Sequence, residues 1–73
     1  MSRVAVIGEA VRVGGYALAG AVVCPAEDAG QARAAWRSLP PDIAVVVLTA
    51  RAAAWLGEAP RRRDGILPAV MPP

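Results

Sequence analysis

Asp42-Ile43-Ala44-Val45-Val46-Val47-Leu48-Thr49 is the stretch that decides how this chain folds. Its six middle residues are apolar throughout, without alternation, and rich in β-branched side chains. Such a run reads as a strand buried on both faces, the central strand of a parallel sheet. Asp42 and Thr49 bound it with polar side chains.

Forward of this strand, Thr49 is placed to cap a helix from Ala50 to about Leu56. Gly57 and Pro60 confine that helix to roughly two turns. Arg61-Arg62-Arg63-Asp64-Gly65 reads as a polar loop, and Ile66–Val70 as a last strand. Pro68 interrupts it and cannot donate to a ladder, so this strand belongs at a sheet edge.

Behind the central strand, Pro40-Pro41 stops a helix that begins after Asp28, a good N-cap with Gln31 three residues on. Ala32, Ala35, Trp36 and Leu39 recur at helical spacing, while Gln31, Arg33, Arg37 and Ser38 face away. This is the clearest amphipathic pattern in the chain. Ala21–Cys24 is a short strand ended by Pro25. The first strand is Arg3–Ile7, closed by Gly8. A first helix follows from about Ala10 to Ala19, with Val11, Gly15 and Leu18 on one face and Gly20 as its stop. Each glycine of Gly14-Gly15 costs about 1 kcal/mol relative to Ala inside a helix. Close packing on the sheet offsets such a cost, or an irregular turn explains it.

The order β-α-β-α-β-α-β with short connections implies an α/β fold in a single domain spanning residues 1–73. The expected architecture is a four-stranded, mostly parallel sheet in the order 2-1-3-4 with helices on both faces, as in receiver domains. That order puts the two most apolar strands in the centre.

Composition narrows the function. The chain has 73 residues and is 56% hydrophobic, but 17 of its residues are Ala. Alanine brings little area to bury, and small domains are marginal. Much of the working stability is therefore expected from a partner. The eight basic residues are all Arg, and the net charge of +2 is too weak to argue for nucleic acid. There is no His, which removes the commonest general base and metal ligand. The lone Cys24 cannot form an internal disulfide, which fits a reducing cytosol. No segment has the roughly 20 apolar residues of a bilayer span, and the N-terminus is not a signal peptide. The chain reads as soluble and intracellular.

In a sheet of this order, ligands bind beyond the carboxyl ends of strands one and three. Gly8, Glu9 and Ala10 meet Thr49, Ala50 and Arg51 there. A phosphate-accepting receiver needs several acidic residues at this point, including an Asp at the end of strand three. Glu9 stands alone and Thr49 fills the other position. Gly8–Gly15 does not have the spacing of a phosphate-binding glycine loop, and Glu9 would repel phosphate. Cys24 lacks a histidine to activate it and reads as a small core residue. Arg61–Arg63 reads as a solvated loop, and Trp36 and Trp55 as core, Trp55 the more exposed. No metal set exists. The expectation is no catalytic, cofactor or metal site, and a module that binds a protein.

Four ordered stretches carry a family resemblance: Val4-Ala5-Val6-Ile7-Gly8-Glu9, Val13-Gly14-Gly15-Tyr16-Ala17-Leu18-Ala19-Gly20, Asp42–Thr49, and Ile66-Leu67-Pro68-Ala69-Val70-Met71-Pro72. In that order and over nearly the whole chain, they resemble the F subunit of the V-type (archaeal/vacuolar-type) rotary ATPases, with Tyr16 in an aromatic position of the family. The resemblance implies a non-catalytic central-stalk subunit. It would bind the coiled-coil rotor protein of the stalk (the D subunit) beneath the A/B catalytic hexamer and help couple ATP hydrolysis or synthesis to proton or sodium transport. It also implies a cytoplasmic location, peripheral to the membrane and not inserted in it. Glu9 stands where the family usually has Asp. Compared with the family over residues 1–73, the expectation is a short variant that lacks the family's usual C-terminal tail.

The expected partner contacts are Arg12, Tyr16, Arg33 and Arg37, outward residues beside apolar ones, since Arg and aromatic side chains suit interfaces. Two other readings stay open: a degenerate receiver-like regulatory module without a phosphoacceptor, and a small-ligand module using the first loop.

Overall fold

In the computed structural model, which describes residues 3–72, β1 (Arg3–Gly8) lies between β2 (Val22–Pro25) and β3 (Ile43–Leu48), and β4 (Leu67–Val70) flanks β3. All three pairings are parallel and the order is β2-β1-β3-β4, as expected. The register puts Val4 beside Val45 and Val45 beside Leu67.

Two helices fall where the sequence puts them. α2 (Ala29–Arg37) starts at Asp28, whose Oδ1 accepts from the Gln31 amide at 2.7 Å. Gln31 Oε1 in turn accepts from the Glu27 amide at 2.8 Å, closing a reciprocal cap shifted by one residue. α3 (Ala50–Leu56) is capped by Thr49 and ends at Gly57, whose φ of +58° suits glycine.

Two regions differ from the sequence reading. The first helix is not continuous: α1 covers only Ala10–Val13 and a 3₁₀ segment follows over Gly14–Ala19. Val11, expected on the core face, is 95% exposed, and Val13 is fully buried instead. A Cβ at Gly14 or Gly15 would meet nothing within 4 Å, so close packing is not why glycine stands there. The pair marks the change of helix type. Secondly, a turn of helix, α4 (Ala59–Arg62), runs into the start of the polar loop expected over Arg61–Gly65. Pro60 sits in its first turn, where a missing N–H costs nothing.

The main core lies on one face of the sheet. Ala5 and Ile7 of β1 join Ile43, Val46 and Leu48 of β3, Ala32 and Trp36 of α2, and Ala52 and Leu56 of α3. Trp55 is half-buried against it. Val4 and Val6 alternate to the opposite face, the side α1 covers. Val6 is fully buried there, but Val4 is 40% and Leu67 65% exposed, so cover thins towards β4.

Each edge strand carries a proline at an outward position. The Ala26 amide donates to Gly8 O and the Met71 amide to Leu48 O, both at 2.8 Å. Amides alternate in direction along a strand, so Pro25 and Pro68 occupy sites whose N–H would point away from the sheet.

Candidate functional site

At the carboxyl ends of β1 and β3 the chain has closed its own crevice. Gly8 lies against Thr49 so tightly that a Cβ on Gly8 would fall 2.2 Å from the threonine Cγ2. Thr49 is fully buried and its polar atoms are all engaged. Its amide donates to Ile7 O at 3.1 Å. Its hydroxyl donates to Glu9 Oε1 at 2.5 Å and accepts from the Ala52 amide at 3.2 Å. The hydroxyl hydrogen bond is the main cause that holds the Glu9 carboxyl below the usual carboxylate range, with a backbone hydrogen bond and the positive charge of Arg51 and Arg12 adding to it. Glu9 is thus the charged member of a strand-to-helix clasp.

A second carboxylate occupies the start of α1. Glu27 Oε2 accepts from the Ala10 amide at 2.8 Å, the bond a phosphate oxygen would make at a helix N-terminus. Among the described residues no buried side-chain nitrogen or oxygen lacks a hydrogen-bond partner. Among the same residues no group of three His, Cys, Asp or Glu side chains is close enough to hold a metal ion. An anion approaching here meets two carboxylates, with the positive charge of Arg51 and Arg12 also acting at Glu9. The arrangement can lock two loops together; it does not present a nucleophile beside a base.

Cys24 is half-buried against the core, and burial pushes its thiol pKa up, which favours the unreactive thiol. A groove of 360 Å³ runs beside Leu48, Ala53, Pro60, Pro68 and Val70, with Glu58 and Arg61 as its charged lining residues. Glu58 is also 3.6 Å from Arg62 in a surface ion pair.

The four expected contact residues do not form one surface. Arg12 lies on α1 and donates to Pro72 O at 3.4 Å, and Tyr16, 38% exposed, follows on the 3₁₀ segment. Arg33 and Arg37 are exposed on α2, across the sheet from α1. Two further charged contacts were not anticipated from the sequence. Arg3 makes a two-pronged bond to Asp42, at 2.6 and 2.9 Å, tying the starts of β1 and β3 together. Arg63 Nη1 donates to Trp36 O at 3.0 Å, with its guanidinium 5.3 Å from the centre of the indole. The first was within reach of the sheet order, which makes the starts of β1 and β3 neighbours. The second needed the path of the chain after α4.

Among the described residues no helix is long and apolar enough to cross a membrane. A comparison with family models matches residues 4–72 to the ATP synthase (F/14-kDa) subunit. Neither the curated proteins nor the solved structures yield a match.

Proposed function

The chain belongs to the ATP synthase (F/14-kDa) subunit family of V-type ATPases, and from that premise we propose that it is a non-catalytic central-stalk subunit. In this reading it binds the coiled-coil rotor protein of the stalk and, through it, the A/B catalytic hexamer, and helps couple ATP turnover to proton or sodium transport. It works in the cytoplasm, peripheral to the membrane. The observation that carries the reading is the extent of the family match, which takes in all four strands, but for Arg3 at the start of β1, and the connections between them.

The closed crevice supports the same reading. The place where this fold would hold a ligand contains the Glu9–Thr49 and Glu27–Ala10 bonds instead. What the molecule offers a partner is a rigid sheet with exposed helices, suited to a structural element in a stalk. The test is co-elution of the purified chain with the coiled-coil rotor protein encoded in the same genome. A stoichiometric complex at micromolar concentration is the expected result, and separate elution overturns the proposal.

A further inference from the structure

We propose that the C-terminal half of α2, with Arg63 beside it, is a docking surface for a helix of a protein partner that presents carboxylates one turn apart. The inference rests on the reading of the chain as a complex-forming subunit and names the surface used. Arg33 and Arg37 are four residues apart on an exposed helix, which sets their Cα atoms about 6 Å apart along its axis and on one face. Arg63 lies against the last turn of the same helix, fixed by its bond to Trp36 O and by the indole beneath it. One of its five N–H donors is spent on that bond.

The charge distribution singles out this surface. Among the described residues neither Arg33, Arg37 nor Arg63 is in an ion pair; the pairs present are Arg3–Asp42 and Arg62–Glu58. The acidic residues flanking α2 in the chain are at its other end and already engaged, Asp28 with the Gln31 amide and Glu27 with the Ala10 amide. At the C-terminal end the nearest in sequence to Arg63 is Asp64, which forms no ion pair among the described residues. Within the C-terminal half of α2 itself the charged residues, Arg33 and Arg37, are both basic. Arg37, in the last turn, also complements the helix dipole. Arg33, a turn earlier, is less well placed to do so.

A helix with carboxylates at i and i+4 repeats the spacing of Arg33 and Arg37, and each guanidinium can hold a carboxylate through two N–H bonds. A strand partner would need a sheet edge, and both edges present proline outward. Nucleic acid fits less well, because the whole chain carries only +2. The α1 face competes poorly, since Arg12 already contacts Pro72 O.

The experiment compares the wild-type chain with R33E/R37E, R33Q/R37Q and R61E/R62E for binding to the coiled-coil rotor protein of the same genome. R61E/R62E matches the charge reversal at another exposed site. In parallel, NMR follows the wild-type chain titrated with a synthetic helix bearing Glu at one-turn intervals, and with duplex DNA. The expected result is binding weakened about tenfold or more by R33E/R37E, less by R33Q/R37Q, and little by R61E/R62E, with peptide shifts centred on Arg33, Arg37 and Arg63. Equal affinity of wild type and R33E/R37E, with both folded by circular dichroism, overturns the surface and leaves the stalk reading standing. If the wild type does not bind the coiled-coil protein, the stalk reading fails and the peptide titration decides the surface. Shifts that are absent, scattered over other arginines, or stronger with duplex DNA overturn it.

Discussion

Thr49 fills the space in which Gly8 would carry a side chain. The Cβ of an alanine there would lie 2.2 Å from Cγ2, 2.5 Å from Oγ1 and 2.8 Å from Cβ of Thr49. Gly8→Ala must push the end of β1 away from the Thr49 cap of α3, just beyond the last β1–β3 pair, Ile7–Leu48. The expected cost is about 3 kcal/mol, the upper part of the overpacking range. A domain of this size has on the order of 4–11 kcal/mol in total. The cost should fall by at least about 1 kcal/mol when Gly8→Ala is made in a Thr49→Ala background, because the two closest atoms are gone. Urea unfolding of the four chains in the cycle measures this coupling.

Thr49 carries two jobs that one isostere can separate. Thr49→Val keeps the shape but removes the acceptor for the Ala52 amide and the donor to Glu9. The expected loss is about 1–3 kcal/mol, from a missing cap and an unsatisfied buried amide. Thr49→Ser keeps both bonds and should lose less. Chemical denaturation of the two variants gives the comparison.

The Arg3–Asp42 pair predicts a particular acid response. The hydrogen bond from Arg3 holds the Asp42 carboxyl below its ordinary range, with the charge of Arg3 adding to it. Its contribution to stability is therefore fully present above the unfolded-state pKa of about 4. It is lost as the pH falls through the lower, folded-state value. Asp42→Asn should flatten the fall of Tm below about pH 4, and Arg3→Gln should do the same. Both groups are exposed, so the change is small. Glu9 is shifted in the same direction and keeps part of the slope in either variant.

Pro25 and Pro68 predict a change in association more than in folding. Pro68→Val restores an outward N–H on β4, and Pro25→Val does so on β2. Folding stability should move by no more than about 1 kcal/mol, as is usual for surface changes. Light scattering at high concentration should rise in each variant and more in the double one, because an unpaired edge is a template for further strands.

Legibility in the sequence followed the strength of the local signals. The unbroken Ile43–Leu48 run, the amphipathic Ala32–Leu39 pattern and the caps at Asp28 and Thr49 each combine several cues, and the structure agrees with them. The stretch from Ala10 to Ala19 does not. Val11, Gly15 and Leu18 share a face only while the repeat stays near 3.6 residues, and a 3₁₀ segment has three per turn. Gly14-Gly15 admitted both explanations, and only the surrounding space decides between them. Pro60 read as the end of one helix when it opens the next. At the crevice the reading of Glu9 as a lone carboxylate missed Glu27, which accepts from the neighbouring Ala10 amide. Its contact with Ala10 spans 17 residues and depends on how β2 leads into α2. The spread of Arg12, Tyr16, Arg33 and Arg37 over two faces follows from the crossover directions of a 2-1-3-4 sheet.

The parallel pairing of β1 with β3 also sets a timetable for synthesis. Val4, Val6 and Ile7 leave the ribosome first, yet their central partners Val45, Val47 and Leu48 come about 40 residues later. At roughly 5–20 residues per second, that is a wait of roughly 2–8 s. Throughout it the nascent chain holds an apolar strand whose second neighbour does not yet exist. Only β2 is available sooner, and two strands alone are marginal. The domain therefore becomes stable only once the third strand is made, and a chaperone's window on it opens with the first strand and shuts with the third.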